Sequence, residues 1–306
     1  MAKCTFKVSI VGGGHVGVTA AYALLLDGLA TDIVLVSRDV NKLIGEQLDL
    51  EHSIPFLQST EITATDDYGL IAGSQFVVVT AGVAQQVGET RLDLVQKNLA
   101  IIEEIIPKIV AAAPLATIVI VANPVDILTY RAVELARLPE GQVFGTGTML
   151  DTARFRFHLS ELLNVSARSI HAYILGEHGE SSFPVLSSAS VGGQLLSTFP
   201  EYSPEKAMQA FQSARSAAAK IIEAKGSTYY AIATVIRKIS HVIFNDAKTV
   251  LPASVPVQDF YGVSQVSLSI PCIIGARGVE RQLRLSLNES EQDNLRKSAD
   301  VLKKYL

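Results

Sequence analysis

The residue with the clearest chemical potential is His178, which follows an apolar, alternating run at positions 169–175. Such a run has the character of a β-strand, and the segment 176–180 behind it contains two glycines and two carboxylates. An imidazole ordinarily titrates near pH 6.5, about where it can give or take a proton at neutrality. A lone histidine after a strand is more often structural than catalytic, so other residues must decide its role.

A carboxylate and an arginine lie about 27 residues upstream of His178, in a segment with helical character. Asp151 and Arg154 are three positions apart, which places them on one face of a helix. Asp151 can accept a hydrogen bond from a ring nitrogen of His178, fixing its tautomer and stabilising the imidazolium. Arg154 offers a planar fork that matches a carboxylate. An ordinary ion pair within the helix is the alternative.

The glycines Gly12, Gly14 and Gly17 have the spacing G-x-G-x-x-G, between a predicted strand at 6–11 and a predicted helix at 16–29. Glycine at these positions permits a tight turn and a close approach of the backbone to a pyrophosphate, which then faces the helix N-terminus. The motif predicts a dinucleotide site, with a plain strand-to-helix turn as the alternative.

The acidic residue that binds the ribose of NAD is missing from its expected place. About 20 residues after the glycine motif, at the end of the predicted strand 32–36, stands Ser37, followed by Arg38. A carboxylate there accepts hydrogen bonds from the 2′-hydroxyl and repels a 2′-phosphate, whereas serine and arginine can hold a phosphate. Alternatively, Arg38 is solvated and Asp39 partly replaces the missing acid. The sequence leaves both interpretations open.

The elements that position these residues alternate between strands and helices in the first half of the chain. Further buried strands are predicted at 75–80 and 117–122, with an amphipathic helix at 92–113 between them. This order is typical of a parallel sheet with crossover helices. We therefore predict an α/β protein with an N-terminal Rossmann doubly wound parallel sheet, residues 1–145, and a C-terminal α+β substrate domain, residues 146–306.

The predicted elements of the second half are less regular. Helical stretches at 149–163 and 204–247 bracket strand-like runs at 169–175 and 185–191, and an antiparallel meander is expected over 250–285. A terminal helix is predicted over 287–306, with Asn288 as its N-cap and Glu291 three residues later.

Composition narrows the functional class. The chain of 306 residues is 48% hydrophobic and carries a net charge of −4, which gives no electrostatic footprint for nucleic acid. Its two cysteines form neither a metal-type spacing nor a disulfide framework, and we find no signal peptide or membrane-spanning run. The sequence therefore predicts a cytoplasmic protein that binds no metal, no membrane and no nucleic acid.

Five ordered segments resemble motifs of the L-lactate/malate dehydrogenase family, namely 12–17, 81–92, 122–126, 145–154 and 176–180. The resemblance implies that His178 exchanges the substrate proton, that Asp151 supports it, and that Arg91 closes over the site and polarises the substrate carbonyl. It also implies a set of substrate-binding residues, Gln85, Asn123, Arg154 and Thr228. The residues that it assigns to the dinucleotide are Gly12, Gly14, Val16, Gly17, Ser37, Arg38, Thr80, Ala81, Gly82, Asn98, Ala122, Asn123 and Ile232.

The substrate prediction depends on Gln85. Malate dehydrogenases of this family carry an arginine at the matching position, where it pairs with the second carboxylate of oxaloacetate. A neutral glutamine would leave that charge buried and unpaired, whereas the methyl group of pyruvate needs no partner. The resemblance therefore implies reversible oxidation of L-lactate to pyruvate with NAD, or with NADP because of Ser37. A malate or branched 2-hydroxy acid dehydrogenase and a non-catalytic dinucleotide sensor are the alternatives.

Arg156 and His171 suggest regulation. They match the residues with which bacterial lactate dehydrogenases of this family bind fructose 1,6-bisphosphate across a subunit interface, and a cationic pair suits a phosphate. The alternative is a structural arginine and histidine. The resemblance further implies a homotetramer, which nothing in the composition tests.

Overall fold

The structure, a computed structural model, describes residues 5–84 and 90–306. Six parallel strands form its first half, in the spatial order β3-β2-β1-β4-β5-β6, the doubly wound order predicted from the sequence. They are β1 Lys7–Val11, β2 Asp32–Val36, β3 Glu61–Thr65, β4 Phe76–Val79, β5 Thr117–Ile120 and β6 Val143–Gly145. The central strands β4 and β5 consist wholly of buried residues, which explains their continuous apolar sequence.

Four helices cross over this sheet, namely α1 His15–Asp27, α2 Val40–Glu51, α3 Arg91–Ala112 and α4 Val125–Ala136. The helix α1 begins directly after the glycine turn, as predicted. A capping box formed by Thr90 and Asp93 starts α3 and satisfies two backbone donors of its first turn.

The antiparallel meander is present, but it extends the parallel sheet rather than forming a layer of its own. Its strands are β10 Thr249–Val257, β11 Val266–Gly275 and β12 Gly278–Gln282. Ser254 of β10 pairs antiparallel with Gly145 of β6, so the described part of the chain forms one sheet of nine strands. A second, three-stranded antiparallel sheet contains β7 Ile170–Leu175, β8 Phe183–Val191 and β9 Gln194–Leu195.

The helices of the second half are α5 Met149–Leu163, α6 Pro204–Lys225, α7 Tyr230–Phe244 and α8 Glu289–Lys303. The prediction of helix throughout 204–247 was wrong at one point, because Gly226 has a φ of +85° and ends α6. The predicted N-cap of the terminal helix is confirmed, since Asn288 and Glu291 form a capping box.

One large hydrophobic cluster joins the two halves. Leu24 and Leu25 of α1 belong to the same cluster as Ile236 and Ile239 of α7, and α1 packs directly on α7. The helix that follows the glycine turn is thus held against the second half of the chain. Within the ranges described, no helix is both long and apolar enough to cross a membrane.

Candidate active site

The loop that carries His178 is anchored at its first residue. Gly176 forms an isolated antiparallel bridge to Ser269 of β11, with backbone hydrogen bonds of 3.0 and 2.9 Å. Its φ is +90°, and a Cβ atom there would lie 2.5 Å from the Ser298 hydroxyl oxygen. Only glycine satisfies both demands without strain, so the sharp exit from β7 depends on this position.

The start of α5 is fastened to the end of β7, which brings Asp151 within reach of His178. The Thr148 hydroxyl donates to the carbonyl oxygen of Ile174 at 2.5 Å, and the Ile174 N–H donates to the Thr152 hydroxyl at 3.0 Å. The Thr148 N–H also donates to the hydroxyl of Ser269, which holds the His178 loop as well. These buried bonds fix the helix against the strand.

His178, Asp151 and Arg154 form one hydrogen-bonded cluster. The ring Nδ1 of His178 lies 2.6 Å from Asp151 Oδ2, and Arg154 Nη1 donates to Asp151 Oδ1 at 3.3 Å. Their side chains are 27%, 14% and 12% exposed, respectively. The sequence spacing therefore predicted a real juxtaposition. With Nδ1 engaged, Nε2 is the ring nitrogen that can exchange a proton with a bound molecule.

The electrostatics of this cluster favour an imidazolium. Burial by itself lowers the pKa of His178, but the Asp151 carboxylate outweighs it and raises the pKa to about 9. Burial raises the pKa of Asp151. The charges and hydrogen bonds of His178 and Arg154 together lower it by more than burial raises it, so the pKa of Asp151 lies below its ordinary value. The pair is thus charged at neutral pH.

A second carboxylate holds the backbone of His178. Asp126 accepts the His178 N–H at 2.7 Å and the Ser254 hydroxyl at 2.6 Å, and it is buried. Burial raises the pKa of Asp126 to about 6. Sequence reasoning assigned Asp126 no role. An acid in the first turn of a helix is favoured by the helix dipole, so its residue type alone does not indicate a further function.

Arg91 lies at the first position of α3, close to the His178 loop, and its side chain is directed at Glu177 of that loop. Its guanidinium forms an ion pair with Glu177, whose carboxylate is buried and also accepts the Ser181 hydroxyl at 2.5 Å. The ring of Tyr305 lies 5.5 Å from the guanidinium. Glu177 stood in the motif that we singled out, yet nothing in the sequence indicated this pair.

A mainly apolar cavity of 430 Å³ adjoins the cluster and brings two predicted substrate residues together. Arg154 and Thr228 both line it, with Leu150, Ile221 and Tyr229 among the other lining residues. Asn123 is placed at the carboxyl end of β5, where its Oδ1 accepts the Val125 N–H at 3.3 Å, leaving the amide nitrogen as the donor. Gln85 lies outside the described residues.

The glycine turn opens into a second cavity, of 580 Å³. A Cβ at Gly12, whose φ is +127°, would lie 2.5 Å from the Ala81 nitrogen, whereas a Cβ at Gly14 would meet nothing within 4 Å. The turn is thus tightly packed on one side and open on the other, so it fits a dinucleotide. The predicted cofactor residues that line this cavity are Gly12, Gly14, Ser37, Arg38, Thr80, Ala81 and Gly82.

The other predicted cofactor residues lie outside that lining. Val16 and Gly17 lie in the first turns of α1, Ala122 and Asn123 follow β5, and Ile232 is half-buried on α7. Asn98 is buried. Its side-chain oxygen accepts the Val83 N–H, and its side-chain nitrogen donates to the carbonyl oxygen of Val83 and, at 2.8 Å, to that of Asn123. Asn98 thus connects Val83 to Asn123, which follows β5.

The two residues predicted to bind an anion lie on α5 and β7, which pack on each other. The Arg156 Nε donates to the Ala172 carbonyl oxygen at 2.8 Å, and the guanidinium lies 5.0 Å from the ring centre of Tyr173. His171, next in the strand, is exposed. Arg156 is thus held by β7 rather than extended into solvent.

The fold and site define a two-part, dinucleotide-binding architecture with a partly buried histidine–carboxylate pair, and comparison with known proteins agrees. Residues 6–145 match the model of the lactate/malate dehydrogenase NAD binding domain, and residues 148–306 match its alpha/beta C-terminal domain. The chain belongs to the lactate/malate dehydrogenase family, which confirms the resemblance seen in the sequence.

Individual relatives cover nearly the whole chain. An L-lactate dehydrogenase of Synechococcus sp. (strain JA-3-3Ab) is 44% identical over 301 residues, 98% of each chain. One from Lacticaseibacillus casei is 42% identical and covers 98% of this chain and 93% of its own. The solved structure of the minor L-lactate dehydrogenase from Enterococcus mundtii superposes with a TM-score of 0.94 at 34% identity, covering 98% of this chain and 97% of that one.

Proposed function

We propose that the protein catalyses reversible hydride transfer between L-lactate and a nicotinamide dinucleotide. The observation that carries the proposal is the His178–Asp151–Arg154 cluster beside a cavity that also contains Thr228. An acid–base group, its carboxylate partner and a carboxylate-binding fork meet there, as the chemistry of a 2-hydroxy acid requires. In this proposal residues 1–145 hold the dinucleotide and residues 146–306 contribute the proton-transfer groups.

His178 exchanges the proton of the substrate hydroxyl. With its pKa raised to about 9, the ring is an imidazolium at neutral pH and donates from Nε2 to the oxygen of a 2-oxo acid. In the opposite direction the neutral ring accepts the hydroxyl proton. Asp151 holds Nδ1 in both directions and stabilises the charged form.

Arg154, Asn123 and Thr228 orient the substrate. The Arg154 fork binds the carboxylate, and its low exposure of 12% removes competing water from that contact. The Asn123 amide nitrogen donates to the reacting oxygen, and Thr228 contributes a hydroxyl from the α6–α7 link. When bound, the nicotinamide would supply the group that gives or takes the hydride, and Ile232 on α7 would be the residue that contacts its ring.

Arg91 has two positions in this mechanism. In the structure Arg91 is paired with Glu177. In the proposed mechanism Arg91 leaves this carboxylate and polarises the substrate carbonyl. Glu177 directly precedes His178 in the chain, so the pair holds Arg91 at the loop that carries the proton donor. A buried carboxylate also disfavours losing its partner, so we expect the Glu177 pair to oppose closure until substrate binds.

Pyruvate rather than oxaloacetate is the expected 2-oxo acid, because Gln85 supplies no charge for a second carboxylate. We expect kcat/KM for pyruvate to exceed that for oxaloacetate, and Gln85→Arg to reverse the order. Steady-state assays of both acids with NADH and NADPH measure this. Oxaloacetate as the better substrate of the unmodified protein would indicate a malate dehydrogenase, and dinucleotide binding without turnover of any 2-oxo acid would indicate a sensor.

We further propose that the chain assembles into a homotetramer that responds to fructose 1,6-bisphosphate. Large apolar side chains on α1 and α2 are exposed, including Leu26 at 53% and Leu48 at 48%, and a partner subunit would cover them. Arg156 offers a guanidinium and His171 a ring N–H, and both can donate hydrogen bonds to a phosphate.

The effector should lower the apparent KM for pyruvate and favour the tetramer, with a coupling of about 1–3 kcal/mol. Pyruvate saturation curves with and without fructose 1,6-bisphosphate, paired with sedimentation of the same samples, measure both effects. Arg156→Gln should abolish the response, whereas Arg296→Gln, on the exposed face of α8, should keep it. Superimposable curves for the unmodified protein would reject the regulatory proposal alone.

A further inference from the structure

The far end of the dinucleotide cavity has an unusual composition for a site that binds NAD. Ser37 follows β2, and its N–H donates to the Thr65 carbonyl oxygen at 3.0 Å, which fixes it beside the end of β3. The glycine turn packs directly on it, since a Cβ at Gly13 would lie 3.2 Å from Ser37 Cβ. Ser37 therefore occupies the place from which an acidic side chain would bind the ribose hydroxyls of NAD.

Asp39 does not take over this task. Its Oδ1 accepts the N–H of Lys42 at 3.1 Å, because Asp39 is the N-cap of α2. Its own N–H is directed at the Ser37 hydroxyl oxygen, at 3.4 Å. The carboxylate is thus turned along α2 and stabilises the first turn of that helix.

Cations are available in the same cavity. Arg38, Lys42 and Lys108 all line it, and both Arg38 and Lys42 are exposed. In the ranges that the structure covers, neither Arg38 nor Lys42 forms an ion pair.

The remaining carboxylates of the cavity are mostly engaged. Asp67 accepts the Gly69 N–H at 2.7 Å, and Glu104 pairs with Lys108 at 2.7 Å. Asp66, which follows β3, is exposed and is the one acid that remains to compete for a ribose. The cavity therefore offers a phosphate two cations that form no ion pair and a serine hydroxyl. Asp39, Asp66, Asp67 and Glu104 also line it, and Arg38 interacts electrostatically with Glu104.

We infer that this end of the cavity is a 2′-phosphate site, so that the protein uses NADP(H) in preference to NAD(H). Arg38 binds the phosphate through its fork, the Ser37 hydroxyl donates to it, and Lys42 adds a second positive charge. No carboxylate at position 37 repels the anion. The inference rests on the proposed function only for the use of the dinucleotide as hydride carrier, because binding itself needs no substrate.

Fragment binding tests the site without turnover. We expect adenosine 2′,5′-bisphosphate to bind about 10- to 100-fold more tightly than adenosine 5′-monophosphate in calorimetry at low salt, the range expected for hydrogen bonds to a charged group. Arg38→Ala should remove most of this difference, and added salt should reduce it. Arg277→Ala serves as the matched control, because Arg277 lies on the exposed turn between β11 and β12, far along the sheet from the dinucleotide cavity.

The whole dinucleotide gives a second readout. The chain contains no tryptophan, so the emission of NADH or NADPH reports binding without energy transfer from that residue. Ser37→Asp should weaken NADPH and strengthen NADH, because the new carboxylate repels the phosphate and accepts the ribose hydroxyls. Ser37→Ala, which adds no charge, should weaken NADPH only slightly. Thermal unfolding of each variant shows whether it is folded.

Equal binding of the two adenosine phosphates, or tighter binding of the monophosphate, would overturn the inference. So would a loss of NADH binding in Asp66→Asn with NADPH unaffected by Arg38→Ala, because the ribose acid would then be Asp66. The proposed function fails differently, through the absence of pyruvate reduction with either reduced dinucleotide while the bisphosphate still binds.

Discussion

Replacing His178 with alanine is expected to lower kcat for pyruvate reduction by about 10²- to 10⁴-fold, the range typical of general acid–base catalysis. The substitution removes the proton donor but leaves the backbone N–H that donates to Asp126. The loop should therefore keep its course, and the dinucleotide cavity, which His178 does not line, should be unaffected. Stopped-flow absorbance at the nicotinamide band measures the hydride step, and nicotinamide emission measures dinucleotide binding.

The matched control is His52→Ala, because His52 is exposed at the end of α2 and lies outside the proposed site. Its turnover should equal that of the unmodified protein. Turnover of His178→Ala within about threefold of the unmodified protein would contradict the assignment of the proton donor. A loss of dinucleotide binding together with turnover would show that the substitution damaged the fold instead.

Much of the fold was predictable because its signals are local. The parallel strands β4 and β5 are buried on both faces and therefore appear as continuous apolar runs. The glycine turn needs residues without side chains where the backbone packs tightly, as Gly12 shows. The capping box at Asn288 is likewise written in four consecutive residues. Each of these signals can be recognised in the local sequence without knowledge of the tertiary structure.

The sheet extension was not predictable, because its cause is a contact between distant segments. One pairing, Ser254 opposite Gly145, joins the meander to the parallel strands, and no periodicity in either segment encodes it. The break after α6 was missed for a different reason. Helix-favouring residues precede Gly226 and resume at Tyr230. A single glycine inside a helical pattern does not by itself require a stop.

The contacts of the candidate site likewise divide into those that the local sequence predicted and those that depend on distant segments. The i, i+3 spacing of Asp151 and Arg154 predicted their shared face, and their contact is present. The bonds of Asp126 to His178 and of Glu177 to Arg91 span 52 and 86 residues, and both depend on how the elements pack. The sequence assigned roles to Asp151, Arg154 and His178 but none to the buried carboxylates Asp126 and Glu177, although both stand in segments that carry the family resemblance.

Asp151→Asn is expected to shift the pH dependence of catalysis as well as its rate. The carboxylate is the main group that raises the pKa of His178 to about 9, whereas burial lowers it. Without the charge, the pKa should fall to the ordinary value of about 6.5 or below. At neutral pH the ring then becomes neutral in the free protein, and pyruvate reduction should fall by about 10²- to 10⁴-fold, since the tautomer is also no longer fixed.

The direction of the profile follows from the proton that each reaction needs. In the unmodified protein, kcat/KM for pyruvate reduction should be constant at neutral pH and fall as the pH rises through about 9, where the imidazolium is lost. The His178–Asp151 pair contributes stability that is fully present below about pH 6.5. This contribution is lost as the pH rises through about 9, because the pKa of His178 is higher in the folded state than in the unfolded state. In Asp151→Asn the catalytic transition should move to lower pH, and the stability contribution of the pair should disappear, because the pKa of His178 in the folded state no longer exceeds its unfolded value.

Glu161→Gln provides the matched control for this experiment. Glu161 also faces a histidine from the same helix, with a distance of 3.1 Å to His158, but the carboxylate is 60% exposed. Removing a solvent-screened carboxylate should change neither the rate nor the position of the pH transition. An Asp151→Asn profile that still falls near pH 9 would show that another group sets the proton affinity of the site. The buried Asp126, whose charge also raises the pKa of His178, is the next carboxylate to replace.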